Sequence, residues 1–274
     1  MTSAPAELGA IRPRSMGFRF EEVPKHWMAE RAVPTAMANA LHMIFPMGER
    51  FFVRSVRHYM AELDDPALRE QVKGFFGQEG RHAHEHERFF EIMEAHGFET
   101  RRFLEVYERI AYGKLEPFFG PKMRLSVTVA LEHYTALMAE NALERGLLER
   151  AHPSVRQILA WHAAEEIEHK AVAFDVLQKV DRSYGLRVAG MALATAALIG
   201  FWALGTAMLL RQEPGLTLRE KLRQFREMQR VNPIGRQVFL RGIREYLRPG
   251  FHPWQNDNLA LAREYLGSVG RATA

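Results

Sequence analysis

The sequence contains no cysteine. Disulfides, thiolate zinc sites, cysteine-bound iron–sulfur clusters and a thiol nucleophile are therefore excluded. It has no alternating runs of β-branched residues between turn signals, so strands are not expected, and no short-period repeat. Met1–Phe20 lacks the apolar stretch that opens a secreted chain, which predicts an intracellular protein, cytoplasmic or associated with the cytoplasmic membrane. Charge of one sign is scarce as well: 37 Lys+Arg against 33 Asp+Glu leave a formal +4. No basic stretch is interleaved with aromatics, so nucleic acid is not an expected partner. The mild basicity suits an anionic membrane surface better.

What is present is helical punctuation. With 274 residues and 47% hydrophobic content, the chain is long enough to bury a sizeable core. Pro34 opens a periodic stretch that runs to Leu63. Asp64-Asp65-Pro66 is a turn whose proline suits the first turn of a second helix, which runs to His96 before Gly97. A short helix near Arg101–Tyr112 and the loop Gly113–Pro121 make a connection long enough to cross a bundle. A third helix is predicted over Pro121–Glu149 and a fourth over Pro153–Val180. The expected fold is all-α: a lead-in with a short helix over 1–33, a four-helix bundle over 34–182, and additional C-terminal helices over 183–274, one of them strongly apolar.

The helix period exposes polar residues where core is expected. Glu49 falls in the middle of the face Leu41, Phe45, Phe52, Val56. Glu79, His82 and His86 lie within the face Val72, Phe75, Ala83, Phe90. Glu132 is central among Leu125, Val129, Ala136 and Leu143, and His162, Glu166 and His169 interrupt Ile158, Leu159, Ala173 and Val176. Glu165 and Glu168 lie off that last face and are expected in solvent. Glu140 fits the height of Glu132 along the bundle but is rotated away, so Glu132 is preferred. A buried, unpaired carboxylate costs several kcal/mol even after relaxation, and no Lys or Arg shares these stripes. Two divalent metal ions would balance four carboxylates, with neutral imidazoles completing the coordination. His86, one turn beyond His82, reads as supporting or packing. Tyr59, His133 and Tyr134 read as core.

The order Glu49; Glu79-Gly80-Arg81-His82; Glu132; Glu166-Ile167-Glu168-His169 resembles the ferritin-like di-iron carboxylate proteins, in which two helices give one Glu each and two give Glu-x-x-His. The match covers about residues 34–180. His162 extends the fourth helix to His-x-x-x-Glu-x-x-His, which looks like the arrangement in the di-iron amine N-oxygenases, with a third His ligand. The resemblance implies two iron ions, with manganese or a mixed pair as substitutes, held by Glu49, Glu79, His82, Glu132, His162, Glu166 and His169. It implies an O₂-activating oxidase or monooxygenase acting on an amine or hydrophobic small molecule, supplied by an electron donor. The whole chain is also similar to a bacterial group described as a predicted metal-dependent hydrolase, which implies dimetal hydrolysis as the alternative. Non-catalytic metal binding or storage is the third reading, and fold alone does not choose.

Val188–Leu210 is 23 residues without a charge, bracketed by Arg187 and Arg211. As a helix it spans about 35 Å, enough for a bilayer core. It reads as a membrane-inserted or membrane-bound helix, with a buried fifth helix or a homodimer seam as the alternatives. The basic stretch Leu218–Arg230 would then lie on head groups. The loop Arg248–Trp254 is aromatic and rich in proline, and His252 within it is a weak candidate site residue, with loop packing the alternative.

Overall fold

The computed structural model describes Pro5 and residues 8–272. Among them the chain is all-α, with no strand and a single isolated bridge, Met28 to Ala151. Helix α1 (Ala32–Arg57) and α2 (Pro66–Ala95) form an antiparallel pair. Asp65 caps α2, its carboxylate accepting from the Ala67 and Leu68 amides, which satisfies two of the orphaned first-turn donors. Gly97, at φ 81°, stops the chain after α2. The connection is helical almost throughout: α3 (Arg101–Tyr107), a π-helical segment over Glu108–Leu115, and α4 (Glu116–Phe118). Then come α5 (Pro121–Glu144), α6 (Pro153–His169) and α7 (Val172–Val180). The C-terminal part adds α8 (Tyr184–Arg211), α9 (Leu218–Val231), α10 (Arg241–Tyr246) and α11 (Leu259–Ala272). Helices α1, α2, α5 and the α6–α7 pair surround the centre, and one core runs from Ile11 to Phe251.

Several boundaries differ from the sequence expectation. The first helix ends at Arg57 rather than Leu63. The third ends at Glu144, because Gly146 takes a left-handed φ of 61° and turns the chain into a short 3₁₀ segment, Leu147–Arg150. The fourth is interrupted just after His169, where Lys170 is drawn out to the Asn256 carbonyl and the Asn258 side chain, 2.6 Å each. The lead-in carries no helix among its described residues. It is instead an extended strap. Two close approaches hold it to α2: a Cβ at Gly74 would stand 2.8 Å from Ile11 Cβ, and one at Gly77 2.8 Å from Pro13 Cγ.

Helix α8 lies along α1 and α5. Gly190, Met191, Ala194, Leu198, Trp202, Gly205 and Leu209 form its inner face, and the Trp202 indole donates to the Met37 carbonyl at 2.8 Å. Arg187 is buried at its start and donates to the Tyr246 and Arg248 carbonyls. The outer face, with Ala192, Ala196, Ile199, Gly200, Ala203, Leu204 and Ala207, is exposed and uncharged. The close approach at Gly190 is testable. A Cβ there would meet the Ser126 backbone at 2.7 Å, whereas Gly200 has open space. Gly190→Ala should lower stability by about 1–3 kcal/mol through overpacking, while Gly200→Ala should raise it by about 0.5–1 kcal/mol through helix propensity. Urea midpoints of the two variants check the difference in sign.

Candidate metal centre

The four central helices bring all seven predicted ligands to one place. Helix α1 gives Glu49, α2 gives Glu79 and His82, α5 gives Glu132, and α6 gives His162, Glu166 and His169. None is more than 5% exposed. Glu166 Oε1 is the hub: His162 Nε2 is 2.9 Å from it, His169 Nε2 3.4 Å and His82 Nδ1 3.6 Å. His169 Nε2 also lies 3.1 Å from Glu79 Oε1 and 3.5 Å from Glu132 Oε2, and His162 Nε2 lies 3.7 Å from Glu49 Oε1. Ligand atoms of Glu49, Glu79 and His82 cluster within 4.8 Å of one another, as do those of His82, His162 and Glu166, and those of Glu79, Glu166 and His169. Register explains why Glu132 reaches this level. It lies twelve residues before the end of α5 and Glu166 thirteen after the start of α6, so stopping α5 at Glu144 removes the offset that a longer helix would impose. Glu140 takes no part: Arg241, Asn256 and Asn258 donate to it instead.

The donor set passes a direct test of fit to cations. Both carboxylate oxygens of Glu49, Glu79 and Glu132, Glu166 Oε2, His82 Nδ1 and His169 Nε2 are buried with no aligned hydrogen-bond partner. Buried polar atoms are almost always satisfied, and these nine unsatisfied ones all belong to the ligand cluster.

The outward ring nitrogens are all engaged. His82 Nε2–H donates to Glu165 Oε2 at 3.0 Å, and His169 Nδ1–H to Gln78 Oε1 at 2.9 Å. His162 Nε2–H donates to Glu166 Oε1 at 2.9 Å, so its Nδ1 accepts from His86 Nε2–H at 2.6 Å, and His86 Nδ1 pairs in turn with His42 Nδ1 at 2.7 Å. The outward bonds of His82 and His169 end on oxygens, which fixes a proton on each outward nitrogen and orients the inward one toward the carboxylates, the arrangement that positions metal-binding imidazoles. Atoms of His86 also come within ligand range of Glu49 and His162, but both of its ring nitrogens are spent on neighbouring histidines. Its role is to hold His162.

Residues 12–257 match the family described as "Predicted metal-dependent hydrolase". The chain belongs to that family. No curated protein and no solved structure matches it.

In this family member the matched span begins just before Arg14, a residue the sequence did not single out. Arg14 donates to Glu165 at 2.9 Å and to both oxygens of Glu168, at 2.6 and 2.9 Å. Gln78 donates to Glu168 Oε2 at 2.9 Å. A closed chain thus runs from His82 through Glu165, Arg14, Glu168 and Gln78 to His169. This corrects the expectation of solvated Glu165 and Glu168: Glu165 is fully buried and Glu168 only partly exposed. Helical phase places them off the ligand face, but the lead-in strap covers that side and supplies the compensating cation. Among the sequence candidates, His252 bonds to Asp175 at 3.1 Å, His133 faces the Gly242 carbonyl, and the Tyr134 hydroxyl contacts Thr195. With Tyr59 they lie outside the ligand cluster. Nothing in the pattern around Arg14, Gln78 or His42 marked them, since their roles depend on contacts across 66 to 154 positions or on a neighbouring helix.

The electrostatics of these side chains follow from their crowding. Burial raises Glu49 and Glu132 well above the usual carboxylate range, with neighbouring carboxylates adding to it. Burial raises Glu79 too, against the pull of His169. Burial opposes ionisation of Glu166, yet His169, His162 and His82 hold it well below the ordinary value. Burial also depresses His82, but Glu165 and Glu166 carry it up to about 9. Unless a cation is bound, protons are what offset the charge of such a cluster. Groups with raised folded-state pKa contribute stability at low pH that is lost as pH climbs through the folded values. Metal-stripped protein should thus lose stability as pH rises toward about 9, where His82 gives up its proton, and Glu132→Gln should lower metal content. Glu165→Gln should weaken metal binding about 10- to 100-fold by releasing His82. Thermal melts across pH, with elemental analysis of the same samples, check all three outcomes.

Proposed function

We propose that this chain is a dinuclear-metal enzyme acting on an apolar small molecule. The observation that carries this reading is the set of three buried, oriented histidines around four buried carboxylates, three of which lack any hydrogen-bond partner. Glu49, His162 and Glu166 also line a cavity of about 460 Å³ whose other walls are mostly aliphatic and aromatic, among them Ile44, Phe52, Leu131 and Phe201. That volume falls in the usual range for small-molecule sites. When bound, a metal pair would polarise a water or substrate oxygen, and as iron it could also exchange electrons with O₂.

The chain's own residues supply the rest. Glu49, His162 and Glu166 present the only edge of the centre that borders the cavity, so substrate approaches from that side. Phe45 packs against the rings of His86 and His162, each at 5.0 Å, and fixes the imidazole nearest the substrate. The apolar walls exclude bulk water, which strengthens every charge interaction inside.

Two reactions fit this frame. Hydrolysis is favoured by the family's description and stands first on that ground. O₂-dependent oxidation is favoured by the ligand set itself: four carboxylates and three imidazoles without thiolate suit iron or manganese, in the pattern that resembles ferritin-like di-iron proteins. The aliphatic and aromatic walls next to the centre suit an apolar portion of the substrate there. Protein expressed with ample metal should carry two metal ions per chain, falling sharply in His169→Ala. An anaerobic ferrous sample that takes up O₂ and gains near-ultraviolet absorption on exposure to air speaks for oxidation. Zinc-loaded protein that cleaves apolar esters without consuming O₂ speaks for hydrolysis. Metal content below one ion per chain would defeat both.

A further inference from the structure

The cavity beside Glu49 and Glu166 has a second end. Ala196, Gly200 and Leu204 of α8 line it and also belong to the exposed outer face of that helix. Leu115, on the π-helical segment, lines it and is 41% exposed. Phe118 beyond it is 80% exposed. The mouth therefore opens onto an apolar surface rather than a polar one. A water-borne substrate gains nothing from such an entrance, whereas a molecule dissolved in lipid reaches it without crossing water.

Two charged groups stand in the cavity wall away from the metal centre. Glu116 is neutralised by Arg54, which donates to both of its oxygens at 3.1 and 2.7 Å. Arg124 is different. Its Nε donates to the Phe119 carbonyl at 2.8 Å, and it forms no ion pair among the described residues. It lies on α5 in line with Val127, Leu131 and Thr135, all cavity-lining. At 1.5 Å per residue it is about 12 Å along the helix from Glu132. An unpaired guanidinium fork in an apolar wall is suited to a carboxylate or phosphate.

Helix α9 follows α8 and is tied to it by Lys221 Nζ donating to the Leu210 carbonyl at 2.7 Å. Leu218, Leu222 and Phe225 form one exposed row, 72%, 45% and 42% accessible. Arg219, Arg223, Arg226 and Arg230 are exposed beside them. With five basic and two acidic side chains, this helix carries +3 of the chain's +4. An apolar row flanked by arginines is the pattern of a helix lying in an anionic lipid interface. A second copy is the poorer occupant, since a two-fold contact through α9 would oppose +3 with +3 and would close the mouth.

We propose that the cavity takes an amphiphile with an anionic head group and an apolar tail, delivered laterally from an anionic lipid surface on which α8 and α9 rest. Arg124 holds the head group, and the tail lies along the walls toward Glu49 and Glu166. This names the substrate class for the metal-dependent reading and rests on it, but its binding steps need no turnover.

The test uses the full chain as purified, with metal content measured in parallel. cis-Parinaric acid, a fluorescent long-chain carboxylate, and its methyl ester serve as cavity probes. Both should bind. Gly200→Phe should weaken both by plugging the mouth. Arg124→Gln should weaken the acid about tenfold and leave the ester unchanged, the loss expected for one charge-assisted contact. Phosphatidylcholine vesicles containing phosphatidylglycerol should co-sediment the protein, vesicles of phosphatidylcholine alone should not, and Leu222→Glu with Phe225→Glu should abolish the capture. Equal effects of Arg124→Gln on acid and ester would overturn the head-group assignment. A stable dimer by light scattering that ignores anionic vesicles would overturn the lipid surface in favour of a second copy. Absence of metal with intact probe binding would defeat the function proposed above and leave these binding results standing.

Discussion

Four carboxylates in a dry interior set the terms for the rest of this molecule. Glu49, Glu79, Glu132 and Glu166 come from four different helices, and among the described residues no Lys or Arg forms an ion pair with them. Mutual repulsion among such groups is far stronger than in water. The three ligand histidines relieve it only in part, and Glu166 alone gains enough of their charge to stay readily ionised. The centre is thus built for positive ions, and in their place it retains protons. The surrounding side chains are arranged to keep this demand in place rather than to satisfy it. Glu165, Gln78 and His86 each occupy the outward nitrogen of a ligand histidine, and the inward one is turned toward the carboxylates.

That arrangement gives a function to the irregular N-terminal strap. Ile11 and Pro13 seat against two glycines of α2, and Arg14 is thereby delivered between Glu165 and Glu168. The strap is pinned at its other end by Ala29 donating to the Arg150 carbonyl at 2.7 Å and by His152 donating to the Trp27 carbonyl at 2.9 Å. A segment without helix of its own therefore ties together α2 and α6, the two helices that carry five of the seven predicted ligands. Helix α8 acts on the cavity side. Helix α8 closes the gap between α1 and the connection after α3, and so makes the wall of the cavity that borders Glu49, His162 and Glu166. The cavity beside the centre is walled by α8 together with the ligand-bearing helices α1 and α5.

The two sides of the centre differ in chemistry for this reason. On the strap side, polar residues form a closed hydrogen-bonded chain that fixes His82 and His169. On the cavity side, Phe45 and its apolar neighbours surround His162, whose only outward support is the pair His86 and His42. Burial and the neighbouring imidazole charges hold His162 at about 4 and His42 at about 3. Both remain neutral, as a metal-facing imidazole and its supports must be.

Much of this was legible in helical phase. Glu49, Glu79, His82, Glu132, His162, Glu166 and His169 each interrupted an apolar stripe, and desolvation makes such interruptions meaningful wherever the helices finally pack. Fold class, the two Glu-x-x-His turns and the long uncharged α8 were readable in the same way, because each depends on spacing within one element. Glu165 and Glu168 were misread because phase reports only which face a residue occupies, and not what covers that face. The offset between Glu132 and Glu166 was illegible because it hung on where Gly146 ends α5. Arg14, Gln78 and His42 carried no signal, as their partners lie on other elements. The amino-acid order by itself determined which side chains must avoid water and which of them cannot afford to be alone there. Only the tertiary structure decided how each outward nitrogen is occupied and from which side the centre is reached, since both are set by contacts between segments far apart in the chain.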